Sequence, residues 1–130
     1  MKQSILCAPQ TSRIEQRPQP HPGPTDVLVA VKACGVCASE LHGWHGDGGV
    51  YPRELGHEVA GLVVEVGSAV TAFQPGMRVT GLIYRGFAEL ACADQRWVTP
   101  IPDNLAYAEA LGEPLGCVLS GARRTRVELG

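Results

Sequence analysis

Residues 34–58 read CGVCASELHGWHGDGGVYPRELGHE, from Cys34 to Glu58, and this stretch decides how the rest of the chain is read. It gathers two cysteines, three histidines and four acidic residues into 25 of the 130 positions. Thiolate, imidazole and carboxylate are the donors that a borderline metal such as zinc takes. Glycines and Pro52 interrupt regular structure between the two ends, so the chain can double back and bring Cys37 and His57 toward one point. Cys34 and Cys37 alone say little. Their spacing also suits a redox pair or half of a zinc ribbon, and a free cysteine is most often a small buried hydrophobe. His57, next to Glu58, tips the reading toward a metal.

The flanks of this stretch read as strands. Asp26 to Ala33 alternates Val27, Val29 and Val31 on one face, and Val59 to Val66 is a second β-branched run closed by Gly67-Ser68. Between them, Ser39 to Trp44 suits a short helix with Ser39 as its N-cap. Upstream, Met1 to Arg17 reads as two short strands about a turn at Pro9 to Ser12. Four prolines then make Arg17 to Asp26 an extended connection. Downstream, the Pro75-Gly76 turn feeds a strand at Met77 to Ile83, with further short strands at Gly86 to Ala93 and Arg96 to Thr99. After Pro102 the character turns helical, first over Leu105 to Leu111. Pro114 then suits a first helical turn, with Leu115, Val118, Leu119 and Ala122 at the spacing of one face. The prediction is a mainly β fold with a few helices, an irregular β-barrel forming one domain over residues 1–130.

Composition narrows the partners. A hydrophobic fraction of 45%, a charged fraction of 18% and a net charge of −2 describe an ordinary globular chain. Basic residues are scattered apart from Arg123, Arg124 and Arg126, which argues against nucleic acid. No apolar run approaches the roughly 20 residues that a membrane helix needs. The apolar stretch after Met1 is too short for a signal peptide. Five cysteines without disulfide-framework spacing point to a reducing cytoplasm.

Six segments together resemble a known family. GVCASELHGWHG from Gly35, GHEVAG from Gly56, VVEVG from Val63, PGMRV from Pro75, GFAE from Gly86 and EPL from Glu113 are similar, in order, to the zinc-dependent alcohol dehydrogenases of the medium-chain dehydrogenase/reductase superfamily. The part covered is that family's catalytic domain, whose fold is similar to the GroES co-chaperonin. The resemblance implies that Cys37 and His57 are zinc ligands, with Glu58 lying against the metal. It implies that Ser39 accepts the proton of the substrate alcohol and that His42 relays it to solvent. Glu40 stands where the family usually has an aspartate that orients the ligand histidine. Cys34 matches a non-ligand position and is expected in the core, while His21 and His45 are expected at the surface. The third ligand is expected to be Glu113, as in polyol dehydrogenases, with Cys117 as a competing thiolate that reads more simply as a buried residue of the helix. The implied reaction is hydride transfer from a zinc-bound alkoxide of a small alcohol or polyol to a nicotinamide cofactor.

Three departures from the family shape the remaining expectations. Leu82-Ile83-Tyr84-Arg85 passes straight into Gly86 where most relatives insert a four-cysteine lobe, and lone Cys92 cannot replace it, so one catalytic zinc and no structural zinc is expected. Ala38 follows Cys37 where many relatives place a basic residue near the cofactor pyrophosphate. No G-x-G-x-x-G follows a strand, and the chain reaches Val127-Glu128-Leu129-Gly130 about where the family enters its dinucleotide-binding unit. NAD(P) is therefore expected only with a Rossmann domain beyond these residues, and the chain alone is expected to be inactive. Homo-oligomerisation is compatible with this reading. The alternatives are a non-enzymatic zinc-binding or interaction module of GroES-like fold and a zinc-free relative of the quinone reductases.

Overall fold

The computed structural model describes residues 1–47 and 49–125. Arg126 and Val127 to Gly130, where the sequence reading places the approach to a further unit, lie outside the described residues. Eight strands run in chain order: β1 Lys2–Ala8, β2 Thr11–Gln16, β3 Asp26–Gly35, β4 Arg53–Glu54, β5 Glu58–Val66, β6 Arg78–Leu82, β7 Leu90–Asp94 and β8 Val98–Pro100. Two α-helices accompany them, α1 Ala38–His45 and α2 Gly112–Thr125. The expected mainly β fold with a few helices is what forms. It is built as two open sheets, β2-β1-β4 and β7-β3-β5-β6-β8. The sheets do not close into one ladder; an isolated bridge between Gln3 and Ala88 joins them.

The valine-bearing strand β3 is an interior strand of the larger sheet, next to the central β5. β3 pairs antiparallel with β5 on one side and with β7 on the other. Val27 and Val29 are fully buried, and so is Leu28 on the opposite face, so the strand is covered on both sides. With Val59, Val63, Val79, Ile83 and Ala91 these valines form the main core, and Cys34 packs against it as expected. Each fully buried Val or Ile contributes roughly 1.5–3 kcal/mol. A second cluster of Ala60, Ile101 and Ala110 lies beneath the loop after β8. At Gly61, in β5, a Cβ would lie 2.3 Å from the carbonyl oxygen of Ala30, so the close pairing of β3 with β5 requires glycine.

Several local expectations shift. α1 begins one residue earlier than read, with Cys37 rather than Ser39 as its N-cap. The Cys37 N–H is taken at 2.9 Å by Glu40 three positions on, so the carboxylate does the capping. Leu105 to Leu111 does not form an α-helix; only a 3-10 turn spans Tyr107–Glu109. Arg78 holds that segment open. Its guanidinium donates to the carbonyls of Pro102, Asp103 and Leu105 and lies 4.6 Å over the Tyr107 ring. Gly86 to Ala93 becomes a strand only from Leu90, and Arg96 to Thr99 is divided between a 3-10 turn at Gln95–Trp97 and β8. The two-residue strand β4 has no pattern in the sequence long enough to reveal it.

α2 forms with Glu113 and Pro114 in its first turn, as the proline predicts. Its start is tied to the sheet by the Gly112 N–H, which donates to the Thr80 hydroxyl at 2.9 Å. That hydroxyl in turn donates to the Val59 carbonyl at 3.0 Å. The apolar stripe, however, is uncovered: Leu115, Val118 and Leu119 are all exposed, and no residue of α2 is buried.

Candidate metal centre

Strand register assembles the candidate site. Gly35, at the end of β3, is the partner of Glu58, at the start of β5. Cys37 lies two residues beyond Gly35 and His57 one residue before Glu58, so pairing the two strands delivers a thiol, an imidazole and a carboxylate to one end of the sheet. Ligand atoms of Cys37, His57 and Glu58 all lie within 4.8 Å of one another. Glu58 is buried and, among the described residues, has no basic ion-pair partner. A buried carboxylate beside a thiol and an imidazole is a donor set that calls for a cation.

Glu40 is the residue that locks this corner. It is buried, and one carboxylate oxygen accepts the Gly56 N–H at 2.6 Å and lies 3.2 Å from His57 Nδ1. The other oxygen accepts the Cys37 N–H at 2.9 Å. One carboxylate thus ties the helix that follows Cys37 to the loop that carries His57. Engaging Nδ1 leaves Nε2 of His57 for a metal, the arrangement by which a carboxylate fixes a ligand histidine.

The remaining expected residues lie around this cluster. Ser39 and His42 are exposed on α1, three positions apart and so on one face. His42 Nδ1 is 3.5 Å from an Asp47 carboxylate oxygen. His21 and His45 are at the surface. Glu113 is not among the clustered ligand atoms; its carboxylate accepts from the Cys117 thiol at 2.8 Å, one helical turn on. Cys117 is exposed, which corrects its reading as a buried helix residue, because the face of α2 that it shares has no cover among the described residues. Its thiol is pushed up first by the hydrogen bond to Glu113, then by burial and by the charges of Glu113, Cys37 and Glu58. Cys34 is pushed up to about 12, by burial first and then by the Glu40 charge, and its sulfur is not among the clustered ligand atoms.

Tyr84 is a neighbour that sequence reasoning did not single out. Its ring lies 6.4 Å from that of His57 at 39° and is mostly exposed. Nothing in local patterning marks it, since the turn from Ile83 to Gly86 carries no motif.

Comparison with known proteins accords with this geometry. Residues 23–103 match the family model described as "Alcohol dehydrogenase GroES-like domain". Sorbitol dehydrogenase of Ovis aries is 33% identical over 162 aligned residues, which cover 97% of this chain and 45% of that protein. Sorbitol dehydrogenase of Gallus gallus is 46% identical over 153, covering 91% and 43%. Both alignments are longer than the chain itself, so these relatives carry inserted residues within the matched span. The crystal structure of ECK1772, an oxidoreductase/dehydrogenase of unknown specificity from Escherichia coli, superposes with a TM-score of 0.86 at 28% identity, covering 99% of this chain and 48% of that one. The chain therefore spans about half the length of the curated relatives it matches. Among the described residues no helix is long and apolar enough to cross a membrane. With the register that unites Cys37, His57 and Glu58, these matches show that the chain belongs to the alcohol dehydrogenase GroES-like domain family, the N-terminal part of the zinc-dependent medium-chain alcohol and polyol dehydrogenases.

Proposed function

We propose that this chain supplies the metal-holding and proton-relaying half of an NAD(P)-linked dehydrogenase of small alcohols or polyols. The observation that carries the reading is the convergence of Cys37, His57 and Glu58 within 4.8 Å, with His57 turned by Glu40. Cys37, His57 and Glu113 would hold a zinc ion, and Glu58 would lie against it. Bound there, zinc supplies Lewis acidity, which lowers the pKa of a nearby hydroxyl.

The chain's own residues do the rest. Glu40 holds the Cys37 and His57 segments in place before any metal arrives, whereas Glu113 has to leave the Cys117 thiol to complete the ligand set. Ser39, at the start of α1, takes the proton of the alcohol hydroxyl and hands it one helical turn on to His42. Asp47 beside Nδ1 holds the His42 ring, whose exposed edge releases the proton to water. Tyr84 walls the approach beside His57. The hydride acceptor, a nicotinamide cofactor, falls in this reading to the part of the relatives' length that this chain does not span. The polyol class rests on the sorbitol dehydrogenase relatives and on Glu113-Pro114-Leu115.

The test is zinc stoichiometry on the purified chain. The unaltered chain should retain a single zinc and Cys37→Ala should retain none. Glu113→Ala should lose zinc while Cys117→Ala keeps it; the reverse outcome would assign the third ligand to Cys117. A panel of primary, secondary and polyol alcohols with NAD(P) should give no NADH or NADPH with residues 1–130 alone, because among the described residues no unit grips a dinucleotide. Turnover by this chain would overturn that division of labour.

A further inference from the structure

Gly35 and Glu58 are cross-strand partners at the end of the β3–β5 ladder. Residues directly opposite in an antiparallel pair point their side chains to the same face of the sheet. Gly35 has no side chain, and the space it leaves is taken. A Cβ on Gly35 would fall on Oε2 of Glu58 and would lie 3.1 Å from both Cβ and Cδ of that residue. The Glu58 side chain therefore lies over the bare backbone of Gly35. On its other side in the sheet Glu58 pairs with Leu82, so Gly35 is the neighbour that leaves room for a carboxylate.

Backbone conformation does not call for this glycine. Among the described residues the glycines at positive φ are Gly46, Gly56 and Gly76, so Gly35 holds a φ that alanine can adopt. Gly61, in the same ladder, gives the contrast. There the atom in the way of a Cβ is the Ala30 carbonyl oxygen, which belongs to paired backbone. At Gly35 it is the far end of a side chain that can turn to another rotamer. A methyl at Gly35 thus costs the sheet little and costs Glu58 its place. That place lies within the cluster, since Glu58 offers a ligand atom within 4.8 Å of those of Cys37 and His57. The hydrogen bonds of Glu40 fix Cys37 and Gly56 and do not include Glu58. We propose that Gly35 is a positioning residue of the metal centre: its missing side chain is the seat that holds the Glu58 carboxylate beside Cys37 and His57. The inference rests on the metal reading of the cluster and adds to it the residue that places its buried acid.

The experiment is a double-mutant cycle on the full 130-residue chain, with Gly35→Ala, Glu58→Ala and the two combined. Zinc affinity is read by competition with a chelator, and the fold by the Tm of the metal-free chain. Gly35→Ala and Glu58→Ala should each weaken zinc about tenfold, the lower end for losing a group that supports a metal site. The combined variant should be no weaker than Glu58→Ala alone. The Tm of Gly35→Ala should fall less than that of Gly61→Ala. In the unaltered metal-free chain an NMR cross-relaxation peak should join the Gly35 Hα protons to the Glu58 Hγ protons. Losses that multiply in the combined variant, an unchanged zinc affinity in Gly35→Ala, or its failure to fold would overturn the proposal. Zinc binding without the Gly35–Glu58 peak overturns the seat and leaves the metal reading standing. The peak in a chain that takes no zinc overturns the metal reading, and the positioning role with it.

Discussion

The two α-helices invert the relation between length and order. Isolated helices below about 12–15 residues are marginal in water. α1 has 8 residues and α2 has 14, so propensity alone favours α2. Yet α1 is the anchored one. It buries Glu40 and Gly43, ends in a left-handed cap at Gly46, and its Gly43 carbonyl accepts from the Tyr51 hydroxyl at 2.6 Å. α2 is fastened at its first residue and buries nothing; Leu115 and Val118 are 62% and 69% exposed. What a helix is packed on, rather than its length, sets how firmly its functional side chains are placed. The residues joined by α1 form a rigid corner, whereas Glu113 and Cys117 ride on a helix whose apolar face has no cover among the described residues.

The comparison is broken most directly at Glu40. Glu40→Ala strands the Cys37 and Gly56 N–H groups and frees His57, which should cost about 3–5 kcal/mol of stability. Zinc affinity should fall about 10–100-fold. Urea denaturation and competition with a chelator measure the two effects; a cost no larger than that of a surface substitution would mean that α1 is held by something else. Next in size is Gly61→Ala. The added methyl would clash with Ala30 in the β3–β5 pairing and should destabilise by about 1–3 kcal/mol, read as a lower denaturation midpoint.

The opposite sign is expected on α2. A Cβ at Gly116 or Gly121 meets nothing within 4 Å, so Gly116→Ala and Gly121→Ala should each stabilise the helix by up to about 1 kcal/mol. Helical ellipticity and Tm should rise together; no change in either would mean that α2 is not a helix in solution.

The smallest effect is one of pH. Burial pushes the Cys34 thiol up to about 12 and the Cys92 thiol up to about 11, against 9.0 for an unburied thiol. Their contribution to stability is fully present below pH 9 and is lost as pH rises through the folded values, because the unfolded chain gives up these protons first. Both groups are partly exposed, so the decline is shallow. Urea midpoints measured from pH 8 to pH 11 should fall, and less steeply in Cys34→Ala and Cys92→Ala.

Much of this was legible in the sequence, because its signals were periodic. Val27, Val29 and Val59 to Val66 declare strands whose pairing sets the register of Gly35 with Glu58, and the site follows from that pairing. What escaped the sequence reading depends on contacts across the fold. Cys37 is a poor N-cap by residue type, and Glu40 performs the capping through its own carboxylate. Leu105 to Leu111 has helical composition, yet Arg78, some thirty positions earlier, claims the carbonyls that a helix would use. Cys117 read as buried because its neighbours are apolar, but an apolar stripe is buried only where something covers it.

The small N-terminal sheet has a consequence for how the corner opens. Ile5 and Leu6 pair with Glu54 and Arg53, three residues ahead of His57. Ser4 donates to the Phe87 carbonyl, and Phe87 and Gly86 donate to the carbonyls of Leu55 and Gly56. The backbone leading into His57 is thus stitched at Arg53 and Glu54 to the β1–β2 hairpin, and at Leu55 and Gly56 to the Gly86-Phe87 turn, which Ser4 of that hairpin also holds. Local opening at Leu55 and Gly56 requires that stitching to come undone, so these segments form one cooperative unit for hydrogen exchange. The protection of the His57 loop is inherited from residues some fifty positions upstream, and the lifetime of anything held by His57 is governed by how often that hairpin lets go.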